Sequence, residues 1–148
     1  MDEFSLKLGN QEARKRIVAE ALTWVGTPYH HGIGIKGRGV DCAQLPIAVF
    51  CGLGMVEPFD PGQYTPQWFL HRDEPRYLKW VEKFARRIEG WGEPGDFYMF
   101  NFGRHAAHGA IVIEPGVTMV HAYAPLKRVM LDDPKRFGDR FHSTWTVL

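Results

Sequence analysis

A cysteine and two histidines in this sequence have the types and spacing of a nucleophile with its base. Cys42 directly follows Asp41, which can cap a helix over the apolar run Leu45 to Phe50. Unpaired backbone N–H groups and the helix dipole stabilise an anion at such a start, so the pattern predicts a Cys42 side chain biased toward thiolate. A nucleophilic thiolate also needs a base that carries its proton and a third group that orients that base.

A β-hairpin is predicted to supply both groups. The Pro115–Gly116 dipeptide separates two strand-like segments, Gly109 to Glu114 and Val117 to Ala124. A two-residue turn there would place residues whose numbers add up to 231 opposite each other. His108 and His121 would then project from one face as diagonal neighbours, about 7–8 Å apart at the backbone. We therefore expect one imidazole to orient the other.

The second cysteine does not predict a disulfide or a metal site. Cys42 and Cys51 are nine positions apart, which in a helix corresponds to about 13 Å, beyond the limit of about 7 Å for a disulfide. Both are predicted to be free thiols, with Cys51 a core residue. No Cys-x-x-Cys pair or zinc-finger histidine spacing is found, so no structural zinc site is predicted.

The elements that must position these residues are helices followed by strands. Apolar spacing predicts helices over residues 11–25 after an Asn10 cap, from Asp41 onward, and from Glu74 to Glu89. The glycine-rich stretch from Gly26 to Gly39 predicts an irregular loop around Tyr29. Strands are predicted at Phe97 to Phe102, Gly109 to Glu114, Val117 to Ala124, Arg128 to Leu131 and His142 to Leu148. This order predicts an α+β fold, with helices packed on an antiparallel sheet.

Pro46 complicates the second helix because proline has no backbone N–H and is tolerated only in the first helical turn. Two outcomes are open. Either the helix starts near Gln44, or the carbonyl of Cys42 is left without its usual backbone donor.

Length and charge describe one compact domain over residues 1–148. The chain has 148 residues, with 18 basic and 17 acidic side chains and a formal net charge of +1. This interleaved charge forms no basic stripe for nucleic acid or anionic lipid. No apolar stretch approaches the roughly 18 residues of a membrane span, so no membrane insertion is expected. The polar segment Met1 to Arg16 lacks the apolar core of a secretory signal, so we expect synthesis in the cytoplasm without a signal peptide.

Four motifs in order resemble the NlpC/P60 cysteine peptidases of the papain-like superfamily. They are Gly26-Thr27-Pro28-Tyr29, Gly39-Val40-Asp41-Cys42, Gly95-Asp96-Phe97 leading into His108-Gly109-Ala110-Ile111-Val112-Ile113, and Val120-His121-Ala122. The resemblance covers most of the chain. The chain departs from the family pattern Asp-Cys-Ser-Gly, because Ala43 and Gln44 follow Cys42. This departure affects how closely a substrate can approach, but it does not change which residue is the expected nucleophile.

The resemblance implies a fold and a reaction. It implies a papain-like NlpC/P60 fold in which Cys42 attacks, His108 acts as general base and His121 orients His108. Tyr29 and the backbone N–H of Cys42 would stabilise the oxyanion. The implied substrate is a peptidoglycan stem peptide, typically its bond between D-glutamate and a diamino acid. The implied chemistry requires no metal or organic cofactor.

The segment Tyr64 to Arg72 resembles a branch of the family found in tailed phages and gene transfer agents, the cell-wall peptidases of the tail tip. That resemblance implies other tail-tip or hub proteins as partners, and a place in the tail of a virion or virus-like particle. Two alternatives stay open: a structural hub or plug protein with little hydrolysis, and an amidase or acyltransferase that uses the same thioester chemistry. The sequence leaves open the roles of Trp68, His71, His105, Lys36 and Arg38, although Lys36 and Arg38 could neutralise the α-carboxylate of the substrate's D-glutamate.

Overall fold

The computed structural model describes residues 2–62, 76–103 and 105–148. Helices come first, followed by a sheet. The elements in chain order are α1 (Glu3–Thr23), β1 (Gly34–Ile35), β2 (Gly39–Val40), α2 (Gln44–Gly52), α3 (Arg76–Phe84), β3 (Arg86–Ile88), β4 (Phe97–Phe102), β5 (His105–Glu114), β6 (Thr118–Tyr123), β7 (Arg128–Asp132) and β8 (Phe141–Thr146). The Tyr64 to Arg72 segment, with Trp68 and His71, lies outside the described residues, as does the predicted start of the third helix at Glu74.

The main sheet has six strands in the order β3-β8-β4-β5-β6-β7, and each neighbouring pair is antiparallel. Strands β1 and β2 form a separate small antiparallel pair within the stretch predicted as an irregular loop. Helices followed by an antiparallel sheet confirm the α+β fold class predicted from the sequence. Strand β5, which carries His108, lies near the middle of the sheet and contacts all three helices.

Hydrophobic side chains pack on both faces of the sheet. Because strand side chains alternate in direction, Phe97 and Met99 of β4 join the core under the helices. Tyr98 and Phe100 belong to a second cluster on the opposite face, where Phe137 covers them. A central strand buried on both sides is a rigid support for the side chains that it carries.

Helix α1 begins earlier than the sequence predicts. Its N-cap is Asp2, whose Oδ1 accepts a hydrogen bond from the Ser5 backbone N–H at 2.7 Å, whereas the predicted cap Asn10 lies within the helix. Leu22 and Val25, two apolar residues of the predicted 11–25 helix, are exposed. Residues 3–9 are exposed as well, so apolar periodicity could not reveal the first turns. Of the helices in the described part of the chain, none is long and apolar enough to cross a membrane.

The third predicted helix is too long at its carboxyl end. Helix α3 ends at Phe84, and the next residues form the edge strand β3, in which Arg86 pairs with Thr146 and Ile88 with Thr144 of β8. The apolar spacing fits a helix and a short strand equally well over these residues. Pairing with β8 decides the conformation, and this is tertiary information.

The hairpin between β5 and β6 has the predicted register. Ile111 pairs with Val120 and Val112 with Met119. The turn is one residue longer than expected, because Glu114 pairs with Thr118 after a register shift. The extra residue changes the pairing only next to the turn, so the alignment expected for the histidines is kept.

Candidate active site

The Asp41 side chain caps the start of the helix that follows Cys42, as predicted. Its Oδ1 accepts hydrogen bonds from the backbone N–H groups of Ala43 at 3.0 Å and Gln44 at 2.8 Å. Its Oδ2 accepts a third from Gly32 at 2.7 Å, which ties the preceding loop to the helix start. Since the Asp41 side chain is buried, these bonds hold Cys42 at a fixed place directly before α2.

Both outcomes left open for Pro46 occur together. Helix α2 starts at Gln44, which places Pro46 in its first turn. One position earlier, Leu45 N–H donates to the Asp41 carbonyl at 3.1 Å, but Pro46 has no N–H for the carbonyl of Cys42. Instead, the hydroxyl of Tyr77 on α3 donates to that carbonyl at 2.8 Å.

The Cys42 thiol is buried beside the hydroxyl of Tyr29. Tyr29 Oη donates to Cys42 Sγ across 4.0 Å, and only 9% of the Cys42 surface is exposed. Burial and the Asp41 charge raise the pKa of Cys42 to about 12. The predicted bias toward thiolate is therefore wrong for this structure, because loss of solvation outweighs the helix start. Burial, with Cys42 and Asp41 adding to it, also raises the pKa of Tyr29, which stays a protonated donor.

The two histidines predicted to share a sheet face are hydrogen-bonded to each other. Nε2 of His108 lies 2.8 Å from Nδ1 of His121, and both side chains are buried. The ring of Phe102 stacks on the His108 ring with centroids 4.6 Å apart. The pair therefore has the base and orienting partner geometry that the hairpin register predicts.

Asp132 continues this chain of contacts and was missed by sequence analysis. Its Oδ2 lies 2.9 Å from Nε2 of His121. A carboxylate can only accept, so Nε2 of His121 carries the proton and Nδ1 accepts one from Nε2 of His108. Nδ1 of His108 is left as the basic nitrogen. Strand pairing could have identified Asp132. Met130 lies opposite His121, so Asp132, two residues further along β7, is the diagonal neighbour of His121. The predicted strand ended one residue too early, at Leu131.

The charges of these groups follow from burial. Burial lowers the pKa of His108 well below the usual histidine value, and His121 lowers it further. Burial also lowers the pKa of His121 to about 4, although its bond to Asp132 opposes the change. Burial alone would raise the pKa of Asp132, but hydrogen bonds from Arg136 and His121 lower it. At neutral pH the site holds a neutral thiol, two neutral imidazoles and one paired carboxylate.

Cys42 lies just before α2, and His108 lies on β5. Cys42 shares a buried cluster with Ala106 and Ala107, which precede His108 on the strand. No hydrogen bond joins Cys42 Sγ to the His108 ring, both of which lie in the described part of the chain; the Sγ contact found there is with Tyr29. Catalytic contacts are often long without substrate and tighten in the complex.

Other predicted residues have varied placements. Lys36 Nζ pairs with Glu20 of α1 at 2.8 Å, and its side chain is exposed. Arg38 is exposed, and His105 begins β5. Cys42 and Cys51 are free thiols, as predicted. Across residues 2–62, 76–103 and 105–148, no three His, Cys, Asp or Glu side chains are arranged to hold a metal ion.

Comparisons with known proteins establish the fold. No family model matches the sequence, and no curated protein matches it at a significant level. Among solved structures, the chain is similar to the NlpC/p60 domain of the peptidoglycan hydrolase SagA, with a TM-score of 0.63 and 23% identity over 90% of this chain and 97% of that chain. It is also similar to the peptidoglycan hydrolase RipB from Mycobacterium tuberculosis, with a TM-score of 0.65 and 17% identity over 93% of this chain and 66% of that chain.

A third solved structure gives the same result. The P60 domain of an antigen from M. avium subspecies paratuberculosis matches with a TM-score of 0.62 and 17% identity, over 92% of this chain and 94% of that chain. The chain therefore has the papain-like α+β fold of NlpC/P60 domains, which confirms the fold implied by its four ordered motifs.

Proposed function

We propose that the protein is a cysteine peptidase that hydrolyses peptidoglycan stem peptides. The supporting observation is the hydrogen-bonded series His108, His121 and Asp132 on adjacent strands of a fold whose helix α2 begins just after Cys42. A base, the group that orients it and a carboxylate are what a cysteine nucleophile needs. Solved structures with this fold include peptidoglycan hydrolases, which supports the same class of substrate here.

Attack on the substrate begins with a neutral pair. Because burial raises the pKa of Cys42 and lowers that of His108, the Sγ proton passes to Nδ1 of His108 as Sγ attacks the amide carbonyl carbon. The carbonyl π electrons move to oxygen and form an oxyanion. Tyr29 stays protonated and donates its Oη–H toward that oxyanion, together with the backbone N–H of Cys42.

Release of the two products returns the enzyme to its starting state. The C–N bond breaks, and the leaving amine takes the proton from His108, which leaves a thioester on Cys42. Water then attacks the thioester, gives a proton to His108 and displaces the Sγ thiolate, which recovers that proton. His121 and the ionised Asp132 stabilise the imidazolium of His108 in both steps through hydrogen bonds.

The bond proposed for cleavage joins D-glutamate through its γ-carboxyl to the diamino acid, as the sequence resemblance implies. Purified peptidoglycan is incubated with the protein, and the soluble fragments are read by mass spectrometry. We expect peptides with a new diamino acid N-terminus from the wild type and the Cys51→Ala variant, and none from Cys42→Ala. Fragments made equally by Cys42→Ala, or cuts in the glycan alone, would contradict the proposal.

A finer proposal concerns location: the protein acts in the tail tip of a phage-type particle, together with other tail-tip or hub proteins. Its support is the sequence of the Tyr64 to Arg72 segment. Particles that carry Cys42→Ala should assemble normally and deliver DNA poorly through an intact wall. Failure of assembly would favour a structural hub protein, and acyl transfer to added amines in place of hydrolysis would favour an acyltransferase.

A further inference from the structure

We propose that Tyr77 is a positioning residue that fixes the backbone of Cys42 relative to the strand that carries His108. The inference rests on the proposed function, since it assigns a role to Tyr77 in the reaction of Cys42 with His108. Tyr77 lies on α3, 35 positions from Cys42, and its hydroxyl reaches the Cys42 carbonyl at 2.8 Å. It is distinct from Tyr29, whose hydroxyl contacts the Sγ atom of the same cysteine.

The acceptor for Tyr77 exists because of Pro46. In a continuous helix the N–H of residue 46 would donate to the carbonyl of residue 42, as Leu45 donates to Asp41 at 3.1 Å one position earlier. Proline removes this donor and leaves the Cys42 carbonyl to find another. A buried carbonyl without a donor is costly, so the bond from Tyr77 has both a structural cause and a defined direction.

Packing against neighbouring rings restricts the Tyr77 ring and so fixes the direction of its hydroxyl. Only 3% of the residue is exposed, and its ring stacks on Phe97 of β4 with centroids 6.3 Å apart and tilts against Trp80 with centroids 6.1 Å apart. Phe97 in turn packs edge-on against Phe50 of α2. The ring therefore has neighbours on the sheet and on its own helix that restrict its movement.

Gly109 makes room for this hydroxyl on β5. A Cβ atom at Gly109 would lie 2.6 Å from Tyr77 Oη and 2.1 Å from the Phe97 ring, closer than real Cβ atoms approach. Gly109 directly follows His108. The Tyr77 hydroxyl is therefore enclosed between the carbonyl of the nucleophile and the backbone next to the base.

The Tyr77 hydroxyl lies between the segment that precedes α2 and strand β5. Tyr77 donates to the Cys42 carbonyl before α2, and its oxygen occupies space that a side chain at position 109 of β5 would need. Small misplacements of a reacting group are expensive, and a shift of about 1 Å can cost about a hundredfold in rate. The Tyr77 bond thereby sets where Cys42 lies relative to the strand that carries His108.

The test compares four variants of the full chain: Tyr77→Phe, Pro46→Ala, the double variant Tyr77→Phe/Pro46→Ala, and Tyr98→Phe as a matched control. Tyr98 is also buried, and its hydroxyl donates to the Trp91 carbonyl and accepts from the Gly116 N–H, but its ring lies in the cluster on the other face of the sheet from Tyr77. Iodoacetamide modification of Cys42 is followed at pH 7 by peptide mapping, with Cys51 in the same sample as the internal reference. Stem-peptide hydrolysis supplies kcat and KM separately.

We expect Tyr77→Phe to slow Cys42 modification by about tenfold or more, and to lower kcat by a similar factor with KM nearly unchanged. Tyr98→Phe should change either rate by less than about twofold, because its hydroxyl bonds to Trp91 and Gly116 and not to Cys42. Pro46→Ala restores a backbone donor to the Cys42 carbonyl, so the double variant should recover most of the loss. Recovery by a substitution on a different element would not follow from a general packing defect.

Each outcome decides the inference. An unchanged or faster Cys42 modification in Tyr77→Phe overturns it. If Tyr77→Phe fails to fold, the double variant decides: recovery of folding and reactivity supports the inference, and failure to recover either overturns it. If the modification rates follow the expected order but no variant hydrolyses peptidoglycan, the proposed function fails and the positioning role stands. If Tyr77→Phe hydrolyses peptidoglycan as fast as the wild type, the proposed function stands and the positioning role fails.

Discussion

Arg136 holds both carboxylate oxygens of Asp132, with its Nε donating to Oδ1 at 2.9 Å and its Nη2 to Oδ2. Oδ2 also receives the bond from His121. This bidentate contact fixes the plane of the carboxylate. Burial raises the pKa of Asp132, but the bond from Arg136 lowers it. In the proposed reaction, Asp132 is therefore a fixed acceptor that stays ionised while His108 gains and loses a proton.

Replacement of Asp132 by asparagine tests that function. The asparagine side chain can turn its NH2 group toward His121 and so favour the opposite ring tautomer, which would give His108 no acceptor at Nε2. We expect Asp132→Asn to lower kcat by about tenfold or more with a folded protein, measured by stem-peptide hydrolysis and circular dichroism. Asp139→Asn, an exposed aspartate near the same segment, is the control and should be close to wild type. Equal losses in both variants would remove Asp132 from the mechanism.

The stability of the fold should decrease as the pH falls through the range of histidine titration. His121 has its pKa lowered to about 4, and that of His108 is also lowered, so the folded state binds fewer protons than the unfolded state. The free energy of unfolding is therefore highest above about pH 6.5, the ordinary histidine value, and declines from there toward about pH 4. Urea unfolding at several pH values measures it.

The control for the pH experiment is His121→Gln. This variant lacks one of the two buried imidazoles and should show a weaker dependence of unfolding free energy on pH between about 6.5 and 4. A wild-type stability that rises as the pH falls over this interval would mean that the buried histidines gain protons on folding.

Local patterns predicted the pairing of the two histidines, because a hairpin register depends only on the turn and on strand alternation. The Pro115–Gly116 turn and the alternation of β5 and β6 were sufficient to place His108 beside His121. Asp132 needed one further strand end, which the apolar pattern does not define. The same holds for β3, whose conformation depends on pairing with the distant strand β8.

Effects that depend on the packed surroundings could not be derived from the sequence. The helix start predicted a lowered pKa for Cys42, but burial raises it to about 12, and burial at a single residue is a property of the whole fold. The sequence shows that Pro46 cannot donate a backbone hydrogen bond to the Cys42 carbonyl, but it does not show which group donates instead. The donor, Tyr77, lies on another helix, and only its contact across the core identifies it.

Gly109 is predicted to be required for packing. Gly109→Ala should lower the free energy of unfolding by about 1–3 kcal/mol, because its Cβ would overlap the Phe97 ring and the Tyr77 hydroxyl in a tightly packed region. Gly9→Ala is the matched control, since Gly9 lies in the exposed first part of α1 with no atom within 4 Å of an added Cβ. That change should stabilise the protein by about 0.5–1 kcal/mol. Urea unfolding distinguishes the two signs, and a neutral Gly109→Ala would show that this part of the core adapts.

Substrate choice gives the last prediction, which concerns the loop between Tyr29 and Cys42. A γ-linked D-glutamate presents a free α-carboxylate, and a guanidinium is well suited to bind one. The two cations proposed from the sequence, Lys36 and Arg38, are both exposed, but Lys36 is paired with Glu20 and lies over the Trp24 ring, which makes Arg38 the stronger candidate.

Arg38→Ala should therefore raise KM for a γ-D-glutamyl-diaminopimelate peptide by about three- to tenfold with kcat nearly unchanged, because it removes binding shared by the ground and transition states. Lys36→Ala should leave KM close to wild type, which makes it the control within the same loop. A second substrate whose α-carboxylate is amidated separates charge recognition from loop disturbance. Arg38→Ala should bind that substrate as the wild type does, and an equal KM increase for both substrates would show that Arg38 shapes the loop without contacting the acid.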